Sequence, residues 1–338
     1  MLRKLVKVRR PRGASLGAPF RPKIPGIWII LMHFRSLTVI VTLRCTAQCA
    51  HCVMSSSPDR VETIEAGFAA HAVEEAAQAG LSIVMSGGEP LLEFELVADL
   101  ARRASNFGVS VAVYSNAYWG RIAEQATRMV ERLRSSGVDT LLLSTDVYHS
   151  PFVPLKAVEY AARAAVAAGM HCEIAVPSPA DDAVTSGEIA ARLKDLPKVL
   201  VKVHLVSRRG RAVQLGSQVF AHGVYDRPCP VLGQLAVMPD GYLYACCAGS
   251  IQFGRDGVLC GGNLAEVSLR SAMSKWESLP LLSDIQRMGP LQAAVREAGR
   301  NPDFSYELGN LYSDLCDECH DVCRSYEQRQ NWARVQEV

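Results

Sequence analysis

No stretch of this 338-residue chain is apolar for long enough to span a bilayer. Its best candidate, Ile24–Phe34, falls far short of the roughly 20 residues required. Nor does a small-residue cleavage pattern stand where a secretory signal would need one. Low-complexity tracts and internal repeats are absent, which argues against collagen-like, disordered and solenoid architectures. Acidic residues are missing from positions 1–35, where nine Lys/Arg gather (Arg3, Lys4, Lys7, Arg9, Arg10, Arg12, Arg21, Lys23 and Arg35). Taking those nine from the 36 Lys and Arg leaves 27 bases against 34 acids, so the rest of the chain carries −7 rather than +2. A body of that sign lacks the basic face that nucleic-acid phosphates demand. Residues 1–36 are expected to be a basic, disordered extension rather than a targeting segment or membrane-surface arm, and Met32 is placed to open the compact domain.

Eleven cysteines are present, without the short length or signal sequence of a secreted disulfide scaffold. They cluster in tight motifs, and in a chain expected to be cytoplasmic such clustering points to metal. Cys45, Cys49 and Cys52 form a C-x3-C-x2-C run within one short loop. Soft thiolates suit an iron–sulfur cluster, and a cubane needs four ligands, so three leave one iron open for chemistry. A structural zinc site normally closes with four ligands, and this loop supplies only three cysteines.

Runs rich in β-branched residues alternate with amphipathic ones from residue 37 to about 208. Strands are expected at Leu37–Leu43, Leu81–Ser86, Val109–Ser115, Val138–Ser144, His171–Val176 and Val199–Val206. Helices are expected at Ala66–Ala79, Leu92–Asn106, Ile122–Ser135, Leu155–Ala168 and Ser186–Leu193. Gly80, Gly108, Gly137 and Gly169 follow four of these helices, where a C-cap is expected. The pattern predicts an α/β fold, a partial (β/α)6 TIM-like barrel over residues 37–208, because six units are too few for a full eight-fold barrel. In such folds the site lies at the C-terminal strand ends, where Cys45, Ser86–Pro90, Ser115–Asn116 and Ser144–Asp146 all fall. Residues 209–338 change character, with a hairpin expected around Pro239–Gly241 from Gln234–Met238 and Tyr242–Ala245. Helical patterns follow at Ser268–Ser278 and Pro280–Gly299. This part is expected to form a smaller C-terminal domain built around metal.

C-x3-C-x2-C after a first strand, joined to Gly87-Gly88-Glu89-Pro90 after a second, resembles the radical S-adenosylmethionine superfamily. The resemblance implies that Cys45, Cys49 and Cys52 hold a [4Fe-4S] cluster whose open iron is chelated by S-adenosylmethionine. It implies that Gly87, Gly88 and Glu89 meet the methionyl moiety, with Ser115 and Ser144 as further contacts. The position before the third cysteine, usually aromatic and beside the adenine, is His51 here.

Cys229, Gly241 and Cys246 follow a C-x11-G-x4-C pattern that resembles the start of auxiliary-cluster domains of the SPASM/twitch kind. With the Cys316–Cys319 pair they complete four thiolates, enough for one auxiliary [4Fe-4S] cluster. Cys260 and Cys323 are too few for a second site, although either is an alternative to one of the four. Zinc is the other reading of the C-x2-C pair.

Cys247 directly follows a presumed ligand and stands as a spare thiol, where a free cysteine is ordinarily a small buried hydrophobe. Cys52–Pro58, Ser115–Gly120, Asp146–Val153 and Asp240–Cys247 resemble the radical peptide epimerases of epipeptide biosynthesis. In that subgroup the second cysteine of such a pair returns hydrogen to a peptide Cα radical, so Cys247 is the implied donor. The implied substrate is a ribosomally made precursor peptide, with an external flavodoxin- or ferredoxin-type electron donor. A thioether or carbon–carbon cross-linking enzyme, a small-alcohol dehydrogenase and a non-catalytic Fe–S or zinc module are the alternatives. Asp146 and His149 are candidate substrate-pocket residues beside Tyr148, and Cys172 reads as core. Only 44 residues precede Cys45, so any leader recognition is expected to use the catalytic domains themselves.

Overall fold

A computed structural model of the chain describes residues 32–247, 254–307 and 310–336. The basic extension of residues 1–36 lies outside them as far as residue 31. Six parallel strands alternate with helices: β1 (Ser36–Thr42), α1 (Ala66–Gln78), β2 (Ser82–Gly87), α2 (Phe94–Ser105), β3 (Val111–Ser115), α3 (Ala123–Ser135), β4 (Thr140–Ser144), α4 (Leu155–Ala167), β5 (His171–Ser178), α5 (Ala183–Lys194) and β6 (Val199–Leu205). Each falls within a few residues of its expected range. Together they make a TIM-like partial barrel.

Burial explains the arrangement. All seven residues of β1 are buried, as a strand with neighbours on both sides and layers on both faces requires. In α2 the buried positions Val97, Leu100, Ala101 and Ala104 recur at helical spacing, laying one apolar stripe against the sheet. Glu65 caps α1 by accepting the Gly67 and Phe68 amides, both at 2.8 Å. Gly80, Gly108, Gly137 and Gly169 all take positive φ behind their helices, as the C-cap reading expects. Cys172 is fully buried in β5.

The rest of the chain builds onto the same sheet. β7 (Leu232–Val237) pairs in parallel with β1 on the side away from β2. It turns through Asp240–Gly241 into antiparallel β8 (Tyr242–Cys246), and β9 (Cys260–Asn263) pairs with β8. The nine strands run in the order β6-β5-β4-β3-β2-β1-β7-β8-β9. A Gly-rich segment such as Cys260–Asn263 carries no strand signal, so β9 is set by pairing alone.

The helices α6 (Leu269–Glu277), α7 (Pro280–Met288), α8 (Pro290–Arg300) and α9 (Leu315–Gln336) follow. The single helix expected over Pro280–Gly299 is two helices. Gly289 sits at φ 95° between them, and Pro290 opens the second, where its missing N–H costs nothing.

Candidate active site

The C-terminal ends of the six barrel strands surround a cavity of about 240 Å³. Cys45, Cys49, His51 and Cys52 line it from the loop after β1. Gly87 and Gly88 line it at the end of β2, Tyr114, Ser115 and Asn116 at the end of β3, Ser144 at the end of β4 with His149 beyond it, Pro177 from β5, and His204 to Ser207 at the end of β6. The parallel topology thus converges residues more than 150 positions apart onto one rim.

The cysteine loop is held by its own bonds, such as Cys52 N–H to Cys49 O at 3.1 Å, and by its neighbours. Gly88 N–H donates to Thr42 O at 2.7 Å and Glu89 N–H to Arg44 O at 2.9 Å, clamping the glycine turn to the start of the loop. A side chain at Gly88 would place its Cβ 2.2 Å from Arg44 O, and one at Gly87 would meet Thr42 O at 2.3 Å. Only glycine permits so close a backbone approach.

Three donors point at the sulfurs. Ala47 N–H reaches Cys45 Sγ at 3.4 Å, Ser56 N–H reaches Cys52 Sγ at 3.4 Å, and Asn116 Nδ2 reaches Cys45 Sγ at 3.6 Å. Donors on sulfur favour thiolate, whereas burial pushes the unligated Cys45 thiol up to about 12. Buried sulfurs already supplied with donors fit a bound cationic cluster.

Glu89 stands behind the glycine turn and is not among the cavity-lining residues. Its carboxylate is wholly buried and accepts from Ser115 Oγ (3.0 and 3.1 Å), Asn116 N (2.9 Å) and Leu91 N (3.2 Å). Burial raises it to about 7 in spite of those hydrogen bonds. Gly87, Gly88, Ser115 and Ser144, in contrast, all reach the cavity wall.

Asp146 is likewise buried away from the cavity, where it organises His51 and His149. It accepts from Tyr148 N (2.6 Å), His149 N (3.0 Å) and His149 Nδ1 (2.6 Å), and its carboxylate lies 3.2 Å from His51 Nε2. Burial opposes charge on both partners of the Asp146–His149 pair, but the bond between them wins. Asp146 is held below the usual carboxylate range and His149 is raised to about 10, with Cys49 also close to its ring. His51 stacks on Tyr148 with centroids 5.0 Å apart, and its Nδ1 is buried with no partner among the described residues. An orphaned polar atom on the cavity wall fits a bound polar ligand.

A basic strap, Ser207–Arg211, links this site to the C-terminal cysteines, a role that sequence reasoning missed. Its visible signal was only the run Arg208-Arg209-Gly210-Arg211. Arg211 donates to Cys49 O and Ser56 O at 2.6 Å each, and its amide donates to Cys52 O at 3.0 Å. Arg209, 3% exposed, faces the other way, 2.6 Å from Asp314 and 3.6 Å from Asp317. Burial disfavours its charge, yet Cys316 and Asp314 hold it protonated.

Among the C-terminal cysteines, Cys246 lies within electrostatic reach of Cys229, Cys316, Cys319 and Cys247. Four thiols coupled in this way fit the wider ligand spacing of an iron–sulfur cluster. Cys319 hydrogen-bonds Cys323 one helical turn along α9. Cys260 feels chiefly Lys275, Asp256 and Asp240. Cys247 Sγ donates to Gln234 Oε1 at 3.6 Å and also meets Thr38. The phenol of the cavity-lining Tyr114 lies within its electrostatic reach.

No helix among the described residues is long and apolar enough to cross a membrane. YydG of Bacillus subtilis (strain 168), named for peptide biosynthesis, is 28% identical over 130 residues. That alignment covers 38% of this chain and 41% of YydG, so the chain matches about two fifths of that relative's length. Two solved structures share the fold. One is anSMEcpe with bound AdoMet and the Cp18Cys peptide, with TM-score 0.53 and 13% identity over 90% of this chain and 99% of that one. The other is Streptococcus suis SuiB bound to precursor peptide SuiA, with TM-score 0.53 and 14% identity over 76% and 68%. Residues 39–151, which carry the cysteine loop and the glycine turn, match the family model of the Radical SAM superfamily, and the chain therefore carries a radical S-adenosylmethionine domain.

Proposed function

We propose that the chain is a radical S-adenosylmethionine peptide epimerase that converts L-residues to D-residues in a ribosomally made precursor peptide. The observation that carries this reading is the position of Cys247. Next to Cys246, its thiol hydrogen-bonds Gln234 of β7 and Thr38 of β1, within electrostatic reach of both Cys229 and the cavity-lining Tyr114.

Cys45, Cys49 and Cys52 would hold the catalytic [4Fe-4S] cluster. Gly87, Gly88, Ser115 and Ser144 would bind S-adenosylmethionine, with His51 offering its unpartnered Nδ1 to the adenine. Cys229, Cys246, Cys316 and Cys319 would hold one auxiliary [4Fe-4S] cluster within a C-terminal domain of residues 209–338. When bound, cluster and S-adenosylmethionine supply the radical that removes a hydrogen atom from a peptide Cα. The chain's own contribution is the return. Burial raises the Cys247 thiol to about 11, so near neutral pH it stands as S–H, the form that gives up a hydrogen atom. Its S–H bond breaks homolytically as the new Cα–H bond forms on the opposite face. The sulfur radical then takes one electron, from a flavodoxin- or ferredoxin-type donor, and one proton. Asp146, through His149 and His51, orders the rim, and the buried walls exclude competing quenchers.

The peptide-biosynthesis relative YydG and the peptide-bound structures of anSMEcpe and SuiB support a peptide as substrate. The test incubates reconstituted protein in deuterated water with the short peptides encoded beside its gene. One solvent deuteron at a residue that becomes D is expected. Cys247→Ala is expected to consume S-adenosylmethionine without yielding a D-residue. A product lighter by two hydrogens, without exchange, sinks epimerisation in favour of cross-linking or dehydrogenation. No 5′-deoxyadenosine at all would reduce the chain to an Fe–S or zinc binding module.

A further inference from the structure

We propose that the open edge of β6 binds an extended segment of the peptide substrate as an added strand, delivering the next residues into the cavity. The proposal rests on the reading of the chain as a peptide-modifying enzyme and names the surface that would recognise the peptide.

β6 ends the nine-stranded sheet, and among the described residues it pairs only with β5, over the seven pairs from Cys172↔Val199 to Ser178↔Leu205. Parallel strands are ordinarily covered on both faces, as β1 is. β6 is not: its last four residues are all exposed, and Leu200, Val203 and Leu205 are 45%, 50% and 47% accessible. Proteins usually blunt such edges with free charge, proline or a bulge. Here the one charged side chain, Lys202, is drawn onto Glu173 of β5 at 2.7 Å, which leaves the edge apolar and open.

The backbone is set for pairing. Val206 N–H donates inward to Ser178 O at 3.0 Å, so alternation along the strand turns the N–H and C=O groups of Val201, Val203 and Leu205 to the open side. Side chains alternate too. Glu173 and Ser144 belong to the inner face with Leu200, Lys202 and His204, while Val203 and Leu205 belong to the outer face.

Continuity with the cavity decides the occupant. His204 and Leu205, the last two residues of β6, line the same cavity as Cys45 and Gly88. A peptide paired along this edge therefore runs directly into the place where hydrogen would be removed. Main-chain bonds would give sequence-tolerant grip, and β-branched or aliphatic residues at alternate positions would be favoured over Val203 and Leu205. This also gives leader recognition a place within the catalytic domain.

The test uses the intact, reconstituted protein and synthetic peptides spanning any short reading frames that flank its gene, each with one backbone N-methyl group. Expected is a period-two pattern upstream or downstream of the modified residue. Alternate N-methyl groups weaken binding about tenfold, and the intervening ones leave it unchanged. Val203→Pro removes an outward N–H while sparing the bonds to β5, and should weaken binding of the unmodified peptide about tenfold with iron content intact. Hydrogen exchange at the Val203 and Leu205 amides should be fast without peptide and slow with it. A peptide that binds and is modified with no alternating pattern overturns the edge proposal and leaves the peptide reading standing. Slow exchange before any peptide is added places the chain's own residues on the edge and also overturns it. Failure of every peptide to bind or be modified overturns the peptide reading itself.

Discussion

Gly88→Ala is the sharpest probe of how the glycine turn supports the cysteine loop. The new Cβ would lie 2.2 Å from Arg44 O, 2.7 Å from Arg44 C and 2.9 Å from Leu43 O, all backbone atoms that no rotamer change can move aside. To reach the 3.4 Å of ordinary contact the turn must retreat by more than about 1 Å. That movement breaks the bonds from Gly88 N to Thr42 O at 2.7 Å and from Glu89 N to Arg44 O at 2.9 Å. Two lost hydrogen bonds cost about 2 kcal/mol and overpacking about 1–3 more, so a loss of about 3–5 kcal/mol is expected. Gly187→Ala is the control. It lies inside α5 with nothing within 4 Å of its added Cβ, and should stabilise by about 1 kcal/mol through helix propensity. Denaturant unfolding of the apo chain measures both, and bound iron after reconstitution reports whether the loop still presents its three thiols. A Gly88→Ala chain with the stability and iron content of the parent would refute the argument that the turn shapes the loop.

Glu89 sets a pH dependence. Its folded value of about 7 exceeds its ordinary 4.5, so the native state holds the proton longer than the unfolded state. Stability should therefore fall by about 3 kcal/mol as pH rises from 4.5 to 7, and Glu89→Gln should remove that part of the slope in urea titrations. Arg211→Ala deletes two charged hydrogen bonds of 2.6 Å from the cysteine loop and should cost about 3 kcal/mol. Arg211→Lys should rescue it only partly, because a point charge cannot span both carbonyls, and iron loss to a chelator would follow the same order. Replacing Cys316 and Cys319 together should lower bound iron from about eight to about four per chain. Cleavage of S-adenosylmethionine should survive; unchanged iron would remove the auxiliary cluster.

Much of the barrel was legible because its signals are local. Alternating β-branched runs and amphipathic helices are short-range patterns, and thiolates spaced along one loop announce their chemistry without help from the fold. The burial of Glu89 behind the glycine turn was not legible, since a carboxylate beside two glycines looks the same whether it faces a ligand or the Asn116 amide. Nor was the role of Asp146, whose partner His51 lies on a different βα loop. The place of Cys260, opposite Tyr244 in β8, is likewise a register no spacing rule predicts.

By itself the sequence determined the αβ alternation, the three-thiol loop and the glycine turn, because each depends on residues that are neighbours along the chain. Only the tertiary structure decided that β7 docks beside β1, that the Ser207–Arg211 strap joins two cysteine groups, and that β6, among the described residues, pairs on one side alone at the mouth of the cavity. Those are contacts between distant segments, fixed by which edges and faces remain unpaired once the barrel has formed.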